Sequence, residues 1–394
     1  MFNYYKLKYK KTLLLLLILS LASLFQSSLK ALKNSCDLQW FPSKLLSQGI
    51  NHYQYFIEGG EAFKCQLGEY AHGLQVVLLP LAYLEWDTAK TIWLFVNLIL
   101  VFMIPLLLCK KFNVSNEFTL LILCIFITCS PTRTSINYGQ QSLFTMFFFI
   151  LPFLYKNNFS YFFSGFSYFK YSIGSILAFY FLVSKKYKVF FISIIPSIIG
   201  WIIYFMMTNS DPITNLFEPL KLTIGKGYEK INDFYSLINK FYIFDYNDLS
   251  QINQRNNLQD SFKLYTDTSF IINKLINLSI FLSITFASIK MISNSKNELA
   301  KLSIISLIVL VFLPHARYDY ILLLPLLILS IKNLNYIIFK INFGIIIYYF
   351  YFNRLIKHLI DYDQGYEIAI FLTFFVQLII NVIYLKRNNN LLAK

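Results

Sequence analysis

The chain has 394 residues, 57% of them hydrophobic and 19% aromatic, with only 14% charged and a mean hydropathy of +0.54. Soluble domains carry roughly a quarter charged residues, so this composition excludes an ordinary water-soluble fold. The net charge of +15 does not point to nucleic acid, because Lys and Arg gather in short clusters at the ends of apolar runs; that is the pattern of orientation signals and lipid-headgroup contacts.

A membrane span needs about 20 mostly apolar residues, since every backbone amide in hydrocarbon must find a partner inside its own helix. The first such run, 12–30, follows the basic stretch Lys6 to Lys11. A cleaved signal peptide is the rival reading of that run; its length and the many runs after it favour a retained anchor. Further runs lie at 71–86, 91–108, 117–131, 140–155, 160–183, 188–208, 269–291, 299–313, 318–332, 336–353 and 366–385. They predict an all-α, polytopic integral membrane protein of about 10–13 transmembrane helices, folded as a single multi-span domain over 1–394.

With both termini, KKYK at 185–188 and the Lys290 to Lys301 region on one side, the positive-inside rule sends two loops, 31–70 and 209–268, to the other. The second holds eight acidic against six basic residues, which suits an extracytoplasmic segment. Lys110 and Lys111 break the pattern, because they fall outside on this map. The five cysteines form no CxxC pair; only Cys36 and Cys65 share an outer loop, so either one disulfide or two free thiols is expected there. No heptad array or fixed-period repeat is evident.

Ionisable groups at or inside a membrane are costly and are functional candidates for that reason. Asp37, the first carboxylate of the chain, opens the outer loop within a few residues of the bilayer, with Gln39, Tyr53 and Tyr55 behind it. It can accept a proton from a hydroxyl, or, more plainly, cap a helix over 38–48. Tyr70 and His72 stand at the outer end of the second run, where Tyr70 also fits an aromatic belt. In NYGQQSLF, Gly139 permits close backbone approach and the amides of Gln140 and Gln141 suit sugar hydroxyls, although a helix-start turn explains them as well. Lys170 has about ten mostly apolar residues on either side, so it should face the bundle interior and meet either a phosphate or an Asp or Glu of another helix. In LPHARYDY, His315 and Arg317 offer donors matched to phosphate oxygens, the alternative being a turn with an Arg–Asp pair to Asp319.

The order of these features resembles the polytopic glycosyltransferases of the C-type fold, most closely glycosyltransferase family 87, the polyprenyl-phosphate-mannose-dependent mannosyltransferase-like group. The resemblance is carried by Asp37, Phe41, Leu45, Leu46, Gly49 and Tyr53, then by Tyr70 to Pro80, Trp93 to Asn97, Gly139–Gln140, Gly165 with Lys170, and Pro314–His315. The chain departs from the family pattern at Ala71–His72, where a Pro-Pro is usual. The resemblance implies inverting transfer of a sugar, mannose or another hexose, from a polyprenyl phosphate to an extracytoplasmic glycan or glycolipid. The transfer would be metal-independent or weakly metal-assisted and need no further cofactor. In that scheme Asp37 is the general base, Lys170, His315 and Arg317 bind the donor phosphate, and Gln39, Tyr53, Tyr70, His72 and Gln140 line the substrate site. The site is expected on the extracytoplasmic face of a bacterial inner membrane, in contact with membrane lipids. The alternatives are a transporter or flippase of lipid-linked sugars and a non-catalytic membrane subunit.

Overall fold

The computed structural model describes residues 2–66, 68, 70–225, 268–313, 316–352 and 363–387, and among them every regular element is helical. Helix α1 is Phe2–Asn34, α2 Trp40–Ser47, α3 His52–Ile57, α4 His72–Ala82, α5 Trp86–Lys111, α6 Asn116–Thr128, α7 Ser130–Tyr138 and α8 Ser142–Leu154. They are followed by α9 Asn158–Ser164 with a 3-10 turn Gly165–Phe169, α10 Tyr171–Val183, α11 Tyr187–Thr208 and α12 Pro212–Gly225. After the undescribed part of the second loop come α13 Thr268–Ser293, α14 Glu298–Phe312, a 3-10 segment Arg317–Leu323 running into α15 Leu324–Lys332, α16 Ile337–Ile347 ending in a π-turn Tyr348–Phe352, and α17 Asp363–Arg387.

Among the described residues three helices are long and apolar enough to cross a membrane: α1 from Lys11, α5 and α11. Helices α6 and α7 make a fourth path, bent by 52°. The remaining apolar runs are shorter than expected because polar residues and turns interrupt them. Helix α8, for instance, has 13 residues and so rises only about 20 Å. At the centre lies α14, buried on all sides from Leu299 to Phe312. A helix that is apolar all round belongs in such a position. Between α16 and α17 a buried polar pair, Asn342 to Asn381 at 2.8 Å, ties helix to helix, as amides do where neighbouring apolar surfaces gain nothing from avoiding water.

The bundle has two distinct ends. At one end Lys156 and Lys301 flank Glu298 at 3.2 and 3.6 Å, and Lys332 donates to the Phe112 carbonyl at 2.5 Å. At the other, the Cys36 and Asp37 backbone N–H groups donate to the Tyr138 carbonyl, joining the tops of α1 and α7.

Two expected spans are corrected. The run 71–86 does not cross: α4 is 11 residues long, and α2 holds it near both ends. Ser43 donates to Gln75 at 2.9 Å, and the Trp40 indole donates to the Leu81 and Leu84 carbonyls at 3.1 and 3.2 Å. Helix α5 therefore starts at the Asp37 end, and Lys110 and Lys111 finish at the basic end, which removes the discrepancy they posed. The run 160–183 is two segments rather than one: α9 with its 3-10 turn rises from Lys156, and α10 returns to Lys186, whose electrostatic surroundings include Glu298, Lys301 and Lys156. Lys170 sits at the tip of this hairpin with extended backbone angles, φ −107° and ψ 98°. Gly174 closes the turn against Ser167 and Tyr168, where any side chain would collide with backbone.

Candidate active site

Asp37 caps no helix. Helix α2 begins at Trp40, and its N-cap is Gln39, whose side chain makes no cap bond. The half-buried Asp37 carboxylate is instead held by two amides: Gln39 donates to Oδ1 at 2.6 Å and Gln140 donates to Oδ2. Each amide is oriented by what its own oxygen accepts, the Gly68 N–H at 3.1 Å for Gln39 and the Tyr70 hydroxyl at 3.4 Å for Gln140. Gln141 clamps the same turn from below, donating to the Asp37 and Leu38 carbonyls at 3.0 and 2.7 Å. Gln140 and Gln141 reach Asp37 because Gly139 turns the chain sharply at φ +71°, with its carbonyl taken by the Trp93 indole at 2.9 Å. A Cβ at Gly139 would strike the Ser35 hydroxyl.

A disulfide, Cys36–Cys65, closes on the residue next to the carboxylate; of the two sequence readings, the bonded one is realised. With Gln66 accepting the Phe41 N–H at 2.7 Å, it fixes the 61–68 segment across the start of α2. Both ends of the Gln39 amide are thereby set before any substrate arrives.

The next residue in the chain, Ser142, opens a second centre. Its hydroxyl donates to Asp319 Oδ1 at 2.7 Å and accepts from Lys170 Nζ at 3.1 Å, while Lys170 Nζ lies 2.5 Å from the same Asp319 oxygen. Both charges are buried, Lys170 at 8% and Asp319 at 1% exposure. The Tyr318 ring sits 4.7 Å below the ammonium. Asp319 Oδ2 accepts the Ala316 N–H at 3.1 Å, which holds the turn into the 3-10 segment. Of the two partners expected for Lys170, the carboxylate of another element is present. Arg317, two residues before Asp319, is half-buried and, among the described residues, forms no ion pair, so the alternative reading of an Arg–Asp pair is not realised. His315 lies outside the described residues.

Tyr53 and His72 belong to a third group, behind the first. His52, Tyr53, His72 and Tyr204 pack in tilted and edge-to-face contacts with ring centroids 3.8–5.5 Å apart. Tyr204 bonds His52 Nδ1 at 2.7 Å, and His72 Nε2 donates to the Asn215 carbonyl at 3.0 Å. Asn51 donates to the buried Glu218 at 2.8 Å, locking α3 to α12. Burial lowers His52 from 6.5 to about 3, so the ring is neutral, and the Gly68 carbonyl 3.3 Å from Nε2 marks which nitrogen carries the proton. Two bonds join this group to the first: that of His52 to Gly68, whose N–H orients Gln39, and that of the buried Tyr53 hydroxyl, which donates to the Tyr70 carbonyl at 2.6 Å. Tyr53 and His72 therefore support the loop that presents Tyr70. Sequence reading missed His52, Tyr204, Asn51 and Glu218. Only the oddity of a polar N-H-Y between two helices hinted at the first of them.

The geometry can thus present an oriented carboxylate beside a buried cation, at the point where α1, the α7–α8 turn, the Lys170 hairpin and the 3-10 segment all break. Irregular backbone at membrane depth is tolerated where it is buried in protein or lines a cavity. Among the described residues no group of three or more His, Cys, Asp or Glu could hold a metal ion.

Residues 70–251 match the family model described as glycosyltransferase family 87. That match, over somewhat less than half of the chain, and the all-helical fold of the described residues are consistent with a polytopic membrane glycosyltransferase. Over that segment the chain is similar to glycosyltransferase family 87, the family that its motifs resemble. Tyr70, His72, Gln140 and Lys170 fall inside the matched segment, and Asp37 and Arg317 outside it. No curated protein and no solved structure matches the chain.

Proposed function

We propose that the protein transfers a hexose, mannose being the first candidate, from a polyprenyl phosphate to an extracytoplasmic glycan or glycolipid, with inversion at the anomeric carbon. The acceptor oxygen attacks that carbon while its proton passes to the Asp37 carboxylate. The bond from carbon to phosphate oxygen breaks, and its electron pair leaves with the polyprenyl phosphate. General base help of this kind is worth about 10²–10⁴-fold. The observation that carries the reading is the Asp37 carboxylate itself, turned by the Gln39 and Gln140 amides away from any capping role.

Charge developing on the leaving phosphate is met by cations already in place, which lowers the barrier without reorganisation. Arg317 supplies a fork matched to phosphate oxygens. An ammonium has three donors; Lys170 commits two of them to Asp319 and Ser142, and the third serves the phosphate. His315, adjacent in sequence, is assigned the same role. Gln39, Gln140 and Tyr70 contact the sugar or acceptor, and Tyr53 and His72 act by holding Tyr70. The Cys36–Cys65 bond supports placing this end of the bundle outside, because disulfides persist in oxidising compartments and are rare in the cytosol. Clustering of Lys156, Lys186 and Lys301 at the opposite end supports the same orientation.

Asp37→Asn should keep expression and fold and lose transfer of labelled sugar from the polyprenyl donor in isolated membranes. Normal transfer by that variant would remove Asp37 as base. Mass spectrometry of envelope glycans with and without the gene would name the sugar. The broken helices also give some support to a flippase, since transporters bind at such breaks. The breaks at 139–141 and 170 gather at one end, however. A flippase would move lipid-linked sugar equally well with Asn at 37.

A further inference from the structure

Arg133 plays no part in the site described above. It lies in α7, on the bent path through the membrane, and its partners are neutral: Nε donates to the Ser27 hydroxyl at 3.4 Å and a terminal nitrogen donates to the Gln26 amide oxygen at 3.0 Å. Among the described residues it forms no ion pair. A charged side chain in a spanning segment is costly and usually faces a partner of opposite sign.

Its depth can be read from α1. That helix is apolar from Leu13 to Phe25 and turns polar at Gln26, with Ser27, Ser28, Lys30, Lys33 and Asn34 following. Gln26 therefore marks the boundary where hydrocarbon gives way to headgroups, on the Asp37 end. Gln26, Lys30 and Lys33 repeat at four and then three residues, so they share one face of α1, and all three are exposed. The outward side of α7 continues the polar surface with half-buried Thr134 and Asn137, and the Asn137 amide oxygen is buried without a partner. The positive-inside rule disfavours cations at this end on the orientation argued above, which makes three of them, Lys30, Lys33 and Arg133, on the joined α1 and α7 harder to explain without a ligand.

We propose that the surface where α1 meets α7 binds a lipid-borne phosphate at the membrane boundary, with Arg133 as the forked contact and Lys30 as its companion. The phosphate belongs either to a bulk anionic phospholipid or to a polyprenyl phosphate waiting outside the Asp37 centre. The assignment does not depend on Asp37 acting as a base.

The test uses the full chain in nanodiscs of phosphatidylcholine alone, with phosphatidylglycerol, or with a polyprenyl monophosphate, read by native mass spectrometry of retained lipid and by thermal shift. Wild type should retain an anionic lipid and gain thermal stability, and Arg133→Gln should weaken retention about tenfold or more, as for loss of a charged hydrogen bond. Arg133→Lys should restore part of it. Lys30→Gln, on an exposed position that folding does not need, should weaken it several-fold. Retention of both lipids identifies a general phosphate site, and retention of the polyprenyl phosphate alone narrows it to that lipid. Equal retention by wild type, Arg133→Gln and Lys30→Gln, or no anionic preference at all, would overturn the proposal.

Discussion

The Lys170–Asp319 pair separates two roles that a single substitution confuses. Both side chains are nearly sealed from solvent, at 10% and 1% accessibility. Lys170→Met leaves Asp319 charged and buried with only the Ser142 hydroxyl and the Ala316 N–H to answer it. Removing one partner of a buried pair costs about 3–5 kcal/mol; with those two donors retained, the low end, about 3 kcal/mol, is expected here. Lys170→Met with Asp319→Asn removes both charges, and replacing a buried pair by neutral groups is often close to energetically neutral, so stability should return to within about 1 kcal/mol of wild type. Stability would be followed by denaturant titration in detergent and by thermal shift, and function by initial rates of sugar transfer at varied donor concentration. If Lys170 touches the donor phosphate, the stable double variant still transfers poorly, with its main defect in donor saturation. Recovery of both stability and transfer would reduce the pair to a pin that joins the hairpin tip to the 3-10 segment. A single variant as stable as wild type would refute the energetic reasoning itself.

Three further outcomes are expected. Gln140→Leu strips one amide from Asp37 but leaves Gln39 in place; with one hydrogen bond to a charged group lost, about 1.5 kcal/mol or slightly more, kcat should fall about tenfold, and an unchanged kcat would show that this amide does not orient the base. Cys36→Ser with Cys65→Ser removes a cross-link spanning 29 residues, worth about 3–4 kcal/mol of unfolded-chain entropy, and a reductant should mimic it on wild type; equal activity with and without reductant would contradict a positioning role. His52, held at about 3 against 6.5 unfolded, binds fewer protons folded than unfolded between those values, so its contribution is full above pH 6.5 and is lost as pH falls towards 3. The slope is about 1.4 kcal/mol per pH unit, and thermal shift should show His52→Gln losing less stability between pH 7 and 5 than wild type does.

The membrane class is legible in the residues, because cost in hydrocarbon leaves few polar groups without a reason; Asp37, Gln39, Gln140 and Tyr70 are each singled out there, but their contacts with one another are not. Helix count was less legible. Hydropathy measures how apolar a run is and not whether it turns back, so 160–183 read as one span although its middle residue is a hairpin tip. The same blindness made α4 look like a crossing, when what decides it is a tryptophan at position 40 gripping carbonyls some forty residues away. The partner of Lys170 was equally hidden, since Asp319 lies 149 positions on and no local spacing announces such a pairing. Tyr53 and His72 were chosen for their chemistry, and the fold uses them as packing behind Tyr70.

The covalent tie between Cys36 and Cys65 also has a consequence for biogenesis. Its two halves leave the ribosome well before the lysine hairpin and the final helices exist, so the bond can form while most of the bundle is still unmade. Production in a host lacking thiol oxidants should therefore yield a chain that inserts, accumulates and resists extraction like the native protein, yet turns over slowly until an oxidant is added.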